Sequence, residues 1–195
     1  MDIPADEELL ASIQKGDTGS LGLLVQRWER PLFRFVYRML PRREEAQDIC
    51  QETFLRILSK AKLFHPGGKF STWMYQIALN LTRDHMRKKG RWAAVVVDGG
   101  KDREERAPTV VEGRPVTPDS LLVESDRRAV VRRALTRLQP EQREVLVLKE
   151  FQGLKFREIA ELLGCPESTV KSRMYYGLKS LKTALAREGG TDGLQ

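Results

Sequence analysis

Apolar residues recur along most of this chain at intervals of three and four, the period of an α-helix with one face turned inward. Leu9, Leu10 and Ile13 mark a first short helix, with Asp6 placed to cap it and Gly16 to end it. A longer run carries Leu21, Leu24, Val25, Trp28, Leu32, Val36 and Leu40. Pro31 lies inside that run and is expected to kink or divide the helix, and Pro41 to close it. The stretch EEAQDICQETFLRILSKAKLF sets Ala46, Ile49, Cys50, Phe54, Ile57, Leu58 and Ala61 on one stripe, before HPGG at 65–68 breaks the pattern. In KFSTWMYQIALNLTRDHMRKKGR the inner face is Trp73, Met74, Ile77, Ala78, Leu81 and His85, with Ser71 or Thr72 as the N-cap.

Residues 91–120 change character, rich in proline, glycine and charge and poor in periodicity, and read as a linker. Val95, Val96 and Val97 are the strand-like run in it, and one such run makes no sheet. Helical spacing returns with Leu122, Ala129, Val130, Ala134, Leu135 and Leu138, stopping before Pro140. Pro140 suits the first position of the next helix, PEQREVLVLKEF, which ends at Gly153. Two more helices follow over 156–163 and 167–185. The pattern predicts an all-α protein: a helical domain over residues 1–92, a flexible acidic linker over 93–120, a second helical domain over 121–187 and a disordered tail over 188–195.

The last two helices meet at Gly164-Cys165-Pro166, in the stretch FREIAELLGCPESTVKSRMYY. Gly164 can adopt the left-handed conformation that ends a helix, and Pro166 cannot continue one. Phe156, Ile159, Ala160 and Leu163 give the first helix a buried stripe, and Val170, Met174, Leu178, Leu181 and Leu185 give the second its inner face. Ser168, Thr169, Lys171, Ser172, Arg173, Tyr175, Tyr176 and Lys179 are left outward. This is the layout of a helix-turn-helix. Hydroxyls near a helix N-terminus suit phosphate oxygens, and Lys and Arg further along suit guanine edges or phosphates in the major groove.

Charge agrees with a polyanionic partner. The net +7 is divided between two basic lobes, +4 over residues 1–90 (15 Lys/Arg against 11 Asp/Glu) and +5 over 126–195 (14 against 9), around a −2 middle (5 against 7). No signal-peptide pattern occurs in MDIPADEELL, and no run approaches the ~20 apolar residues that span a bilayer, so membrane insertion is not expected. Cys50 and Cys165 match no metal-ligand spacing and read as reduced thiols packing in a cytosolic protein. There is no GxxxxGK phosphate loop, nucleophile–base set or carboxylate cluster, so neither an enzyme nor a cofactor or metal is expected.

A helix-turn-helix alone serves repressors, recombinases and response regulators alike. The remaining sequence resembles the extracytoplasmic-function (ECF) sigma factors, the two-domain initiation subunits of bacterial RNA polymerase. The resemblance rests on QDICQETFLRIL (47–58), FSTWMYQIALNLTRDHMR (70–87) and LQPEQREVLVLKEFQGLKFREIAELLGCPESTVKSRMYYGLKSLK (138–182), in that order and around that linker. It implies that the first stretch docks on the clamp helices of the polymerase largest subunit through Asp48, Gln51, Glu52 and Arg56, and that the flap is a further contact. It implies that the second stretch captures the −10 promoter element. Asn80 would line a base pocket with Gln76, Thr82, Arg83 and Asp84 nearby, Lys69, Arg87, Lys88 and Lys89 would hold phosphates, and Trp73 either packs or touches DNA. The third stretch would read the −35 element through Ser168, Thr169, Lys171, Ser172, Arg173, Tyr175, Tyr176 and Lys179, with Lys149 and Arg157 on the backbone. The resemblance further implies promoter DNA and an anti-sigma factor as partners, and a cytoplasmic location. A conventional regulator whose first 90 residues dimerise or sense, and a recombinase, are the competing readings.

Overall fold

The computed structural model describes residues 4–65, 67–90 and 118–189, with residues 118–126 described by their helical course alone. Of the expected linker over 93–120, residues 93–117 with the Val95–Val97 run lie outside the described residues, while 118–120 open a helix; of the expected tail over 188–195, residues 188 and 189 continue the last helix and 190–195 lie outside the described residues. Among the described residues eight helices follow in order: α1 (Asp6–Gln14), α2 (Gly19–Met39), α3 (Arg43–Lys60), α4 (Phe70–Lys88), α5 (Pro118–Thr136), α6 (Pro140–Leu146), α7 (Phe156–Leu163) and α8 (Glu167–Gly189). A 3-10 turn, Ala61–Leu63, closes α3, and a π turn, Val147–Phe151, continues α6. No strand occurs among the described residues. The all-α expectation holds.

In the first half α2 is central, with α1, α3 and α4 packed against it. Leu24, Leu32, Phe35, Val36 and Leu40 are fully enclosed, a spacing that keeps one face of α2 out of water over its whole length. Each such side chain is worth about 1.5–3 kcal/mol of transfer free energy. Aromatic rings join the layers: Phe35 lies 4.9 Å from Tyr75 of α4, and Trp28 lies 6.1 Å from both Tyr75 and Phe70. Pro31 does not divide α2, which runs unbroken from Gly19 to Met39. The ring's fixed φ is itself helical, so it removes one hydrogen bond at a half-exposed position and leaves the rest of the ladder intact.

Two helix starts differ from expectation. Asp6 does not cap α1; its carboxylate pairs with Arg27 and accepts from Trp28 Nε1 at 3.0 Å, tying α1 to α2. Ser71 and Thr72 fall inside α4, whose first amide, Phe70 N–H, is accepted by Glu7 Oε1 of α1 at 2.9 Å. The cap therefore comes from across the fold, and its negative charge suits the helix N-terminus.

In the second half α8 is the axis, with α5, α6 and α7 around it. Its buried face is Val170, Met174, Gly177 and Ala184, whereas Leu178, expected inside, is 47% exposed. The small residue wins that place because α6 comes too close for a larger one. A Cβ on Gly177 would lie 3.0 Å from Leu146 Cδ1 and 3.3 Å from Gln142 Cβ. At the far end of α8, Glu188 receives Arg133 Nε at 2.9 Å and Arg137 NH2 at 2.5 Å, both from the α5 end.

The buried residues of the two halves form one connected cluster. At the seam Arg143 of α6, 4% exposed, donates to Met39 O (2.7 Å), Thr136 O (2.7 Å) and Leu138 O (3.1 Å), carbonyls that end α2 and α5. Burial pushes its guanidinium down to about 10, still charged at neutral pH. These carbonyls carry the negative end of the helix dipole, so the cation meets three acceptors that have no intrahelical partner.

Substituting Gly177→Val should lower stability in urea by about 1–3 kcal/mol through overpacking. Gly22→Ala, in a part of α2 where an added Cβ meets open space, should raise it by about 0.5–1 kcal/mol. Equal effects from the two substitutions would refute the close approach of α6 to α8.

Candidate nucleic-acid and polymerase interfaces

The helix-turn-helix is set by its turn. Gly164 has φ +64° and ψ +38°, and Cys165 N–H reaches back to Ala160 O at 3.1 Å, satisfying one carbonyl at the end of α7. Pro166 O then accepts Thr169 N–H at 2.9 Å and Val170 N–H at 3.2 Å, starting α8 on a new axis. Ile159 and Leu162 are buried under α7, and Val170 and Met174 under α8.

That packing turns the expected reading residues outward. Ser168, Lys171, Ser172, Tyr175, Tyr176 and Lys179 are exposed, and Thr169 and Arg173 half-exposed. Tyr175 and Tyr176 are 66% and 55% exposed with rings edge to face at 5.3 Å, a large aromatic area left in water. Several cations have local partners. Lys171 pairs with Glu167 at 2.7 Å, Arg157 with Glu161 at 3.1 Å, and Arg173 lies back over Cys165 Sγ at 3.9 Å. Lys149 is drawn in over the Phe156 ring, 4.8 Å from its centre, and donates weakly to Leu154 O at 3.4 Å. Exposed pairs of this kind hold with little energy and yield readily to phosphate.

On α4 the expected −10 residues divide. Trp73, Gln76, Asn80, Arg83 and Arg87 follow at intervals of 3, 4, 3 and 4, which puts them on one stripe. Gln76 and Asn80 are exposed, as are Arg87 and Lys88 at its end. Trp73 is half-buried, its ring tilted 5.3 Å from that of Phe64. Asp84 pairs with Arg87. Thr82 is a correction: it is fully enclosed, and its hydroxyl donates to Ala78 O at 2.8 Å. The residue sits one turn position off the stripe, on the face that packs into the bundle.

Lys69 and Arg83 reach across the seam instead of outward. Arg83 grips Glu144 of α6 with Nε at 2.7 Å and NH2 at 2.6 Å, and this contact holds its guanidinium above its ordinary range. Glu144 is wholly enclosed. Lys69 Nζ lies 2.6 Å from Glu158 of α7, whose carboxyl is held below the usual range by that ammonium and by Lys155 N–H. His85 Nε2 sits 3.1 Å from Glu45 Oε2, not aligned for a hydrogen bond, while Lys89 pairs with the same carboxylate at 2.6 Å.

On α3, Asp48 and Gln51 are exposed, and Glu52 pairs with Arg56 at 2.8 Å beside them. In their midst Leu55 is 60% exposed, an apolar residue that the sequence reading passed over. Its signal was present: it falls on the polar side of the stripe that Phe54 and Ile57 bury. No grouping of His, Cys, Asp and Glu suited to a metal occurs among the described residues, and no helix there is long and apolar enough to cross a membrane.

Two helical units, the second carrying a helix-turn-helix, define an all-α fold with one polar helix face turned outward. The model for sigma-70 region 2 matches residues 24–91 and that for sigma-70 region 4 matches 128–181. The ECF RNA polymerase sigma factor SigW of Bacillus subtilis is 33% identical over 178 residues, covering 90% of this chain and 94% of that protein. The fold is shared with CnrH, solved with the cytosolic domain of CnrY (TM-score 0.67, 24% identity, 94% of this chain and 99% of that one). It is also shared with RpoE of Bartonella quintana, solved with the anti-sigma factor NepR (TM-score 0.59, 24% identity, 83% and 96%). The chain belongs to the ECF sigma factors, and its function is that of an alternative sigma factor directing promoter-specific transcription initiation.

The thiols give a test of the turn. Burial pushes Cys50 up to about 12, whereas Cys165 is half-exposed beside Pro166. Iodoacetamide at pH 8 should modify Cys165 and spare Cys50, as read by peptide mass; modification of Cys50 at an equal rate would overturn its enclosure.

Proposed function

We propose that this sigma factor contacts the polymerase through α3, captures the −10 element along α4 and reads the −35 element with α8. The observation that carries the reading is the outward face of α8, where hydroxyls, cations and two tyrosines stand exposed beyond a Gly164 turn that fixes their direction. A helix presented in this way fits the major groove, with its N-terminal end toward base edges and phosphates.

On α4, Asn80 and Gln76 offer amides to a base edge, and Trp73 offers a wall for an unstacked base. Arg87 and Lys88 supply phosphate contacts. Opening the duplex this way needs no nucleotide hydrolysis, because an extruded base is stabilised by the few kcal/mol that unstacking costs. Thr82 takes no part and supports α4 from within. On α3, Leu55 joins Asp48, Gln51, Glu52 and Arg56, giving a polar patch with an apolar centre, the composition of a releasable interface. The clamp helices are its proposed partner, the flap a second contact of the C-terminal unit, and the cytoplasm the site of action. An anti-sigma factor is proposed as a further partner, in keeping with the one bound to the Bartonella relative.

Adding the purified chain to core RNA polymerase on genomic DNA should produce transcripts with defined start sites; starts no different from those of core enzyme alone would overturn the reading. With such a promoter, Arg173→Ala or Ser172→Ala should cost about 1–3 kcal/mol and relax preference at single −35 positions. Lys179→Ala should weaken all sequences alike and reduce the salt slope by about one. Leu55→Asp should impair polymerase binding while leaving duplex −35 binding at the wild-type level.

A further inference from the structure

Behind its buried face α2 carries a second stripe. Arg30, Phe33, Arg34, Tyr37 and Arg38 stand at the i, i+3, i+4, i+7 and i+8 spacing that gathers residues on one side of a helix. No acidic residue falls on it. We infer that this stripe, with Arg43 at the start of α3, is a further nucleic-acid surface. It takes single-stranded nucleic acid, stacking unpaired bases on Phe33 and Tyr37 and holding phosphates with the guanidiniums.

The stripe lies on the side of α2 turned away from α4. Leu32, Phe35, Val36 and Met39 are buried, and Phe35 is the residue that meets Tyr75 of α4. Arg30 and Arg34 are exposed, and Phe33, Tyr37 and Arg38 half-exposed. The Phe33 and Tyr37 rings stack at 5.3 Å with 19° between their planes, forming a platform two rings long. Flat cations already lie on these rings. Arg43 sits 5.7 Å over Phe33, and Arg132 of α5 sits 4.4 Å over Tyr37 and donates to its hydroxyl. An unpaired base is as flat as a guanidinium and stacks on the same faces. A guanidinium displaced by it stays beside the strand with its fork of donors available to phosphate.

Positive charge is crowded here. Burial holds the Arg38 guanidinium below its ordinary range, and the charges of Arg34 and Arg128 beside it push the same way. A polyanion relieves that repulsion and releases counterions as it binds. Arg30, Arg34 and Arg38 recur every four residues, about 6 Å along the axis, and can follow successive phosphates of one strand. The rings select the strand over the duplex, because paired bases are stacked on one another and their faces are out of reach. An acidic peptide would meet the cations and leave the rings unused. The surface is separate from α4 and α8, so it stands or falls independently of start-site selection by the chain.

The test uses the full chain with labelled twelve-nucleotide dT and rU homopolymers, which carry no promoter element, and reads affinity by fluorescence anisotropy across a salt series. Phe33→Leu keeps an apolar side chain and removes the stack, and Arg34→Gln removes an exposed charge. Lys15→Gln makes the same change of charge at the end of α1, and Lys88→Gln makes it on α4. Phe33→Leu and Arg34→Gln should each weaken binding at least fivefold, and Arg34→Gln should lower the salt slope by about 0.7. Lys15→Gln should stay within twofold of wild type. The homopolymer bound more tightly names the source, dT a separated promoter strand and rU a transcript. With one 5-iodouracil in the dT strand, ultraviolet light should couple it to Phe33 or Tyr37, as read by peptide mass. Should Phe33→Leu lose its helical circular dichroism, Arg34→Gln and the crosslink decide. Loss with Lys88→Gln but not with Arg34→Gln, coupling confined to Trp73, Tyr175 or Tyr176, or equal affinity for a twelve-residue glutamate peptide would each overturn the surface.

Discussion

Glu144 has no water around it and one guanidinium to answer it. A carboxylate enclosed without a partner costs several kcal/mol, so α6 can sit where it does only while Arg83 of α4 reaches it. Its sequence neighbour Arg143 is buried on the other side of the same turn and satisfies carbonyls that end α2 and α5. Two adjacent residues of opposite charge thus join four helices, Glu144 meeting Arg83 across the seam and Arg143 meeting carbonyls on both sides of it. The apolar cluster that runs through both halves supplies most of the stabilisation, but it has no direction. The paired charges supply register, fixing which face of the second half meets which face of the first.

The same seam explains why the two proposed nucleic-acid faces differ. The outward side of α8 meets water, and its cations are held by weak pairs within the same unit. The stripe on α4 is open at Gln76, Asn80 and Arg87 and closed at Arg83, which pairs with the enclosed Glu144. Exposure, more than residue type, separates the two faces.

Much of this was legible in the chain. The helix ends near Gly16, Pro41, Pro140 and Gly164 follow from backbone chemistry that neighbours cannot alter, and the outward set on α8 follows from the period of Val170 and Met174. The misses have a common cause in tertiary contact. Leu178 outranks Gly177 in hydrophobicity, yet a glycine is what lets α6 approach. Ser71 outranks Lys69 as a cap, yet Glu7 arrives from another helix. Glu144 and Arg143 look like surface residues within PEQREVLVLKEF, and only the folded partner shows why they are inside. Thr82 packs inward because its hydroxyl can bond its own backbone, and Leu55, on the polar side of α3, was passed over because an apolar residue is not expected to stand in water.

The clasp of Arg133 and Arg137 on Glu188 joins the far end of α8 to the end of α5. With 23 residues at about 1.5 Å each, α8 is a rod of about 35 Å, clasped to α5 at one end and packed under α7 at the other. Because α6 and α7 pack along it as well, α8 keeps a fixed tilt within its unit, and that tilt sets the angle at which its outward face is offered.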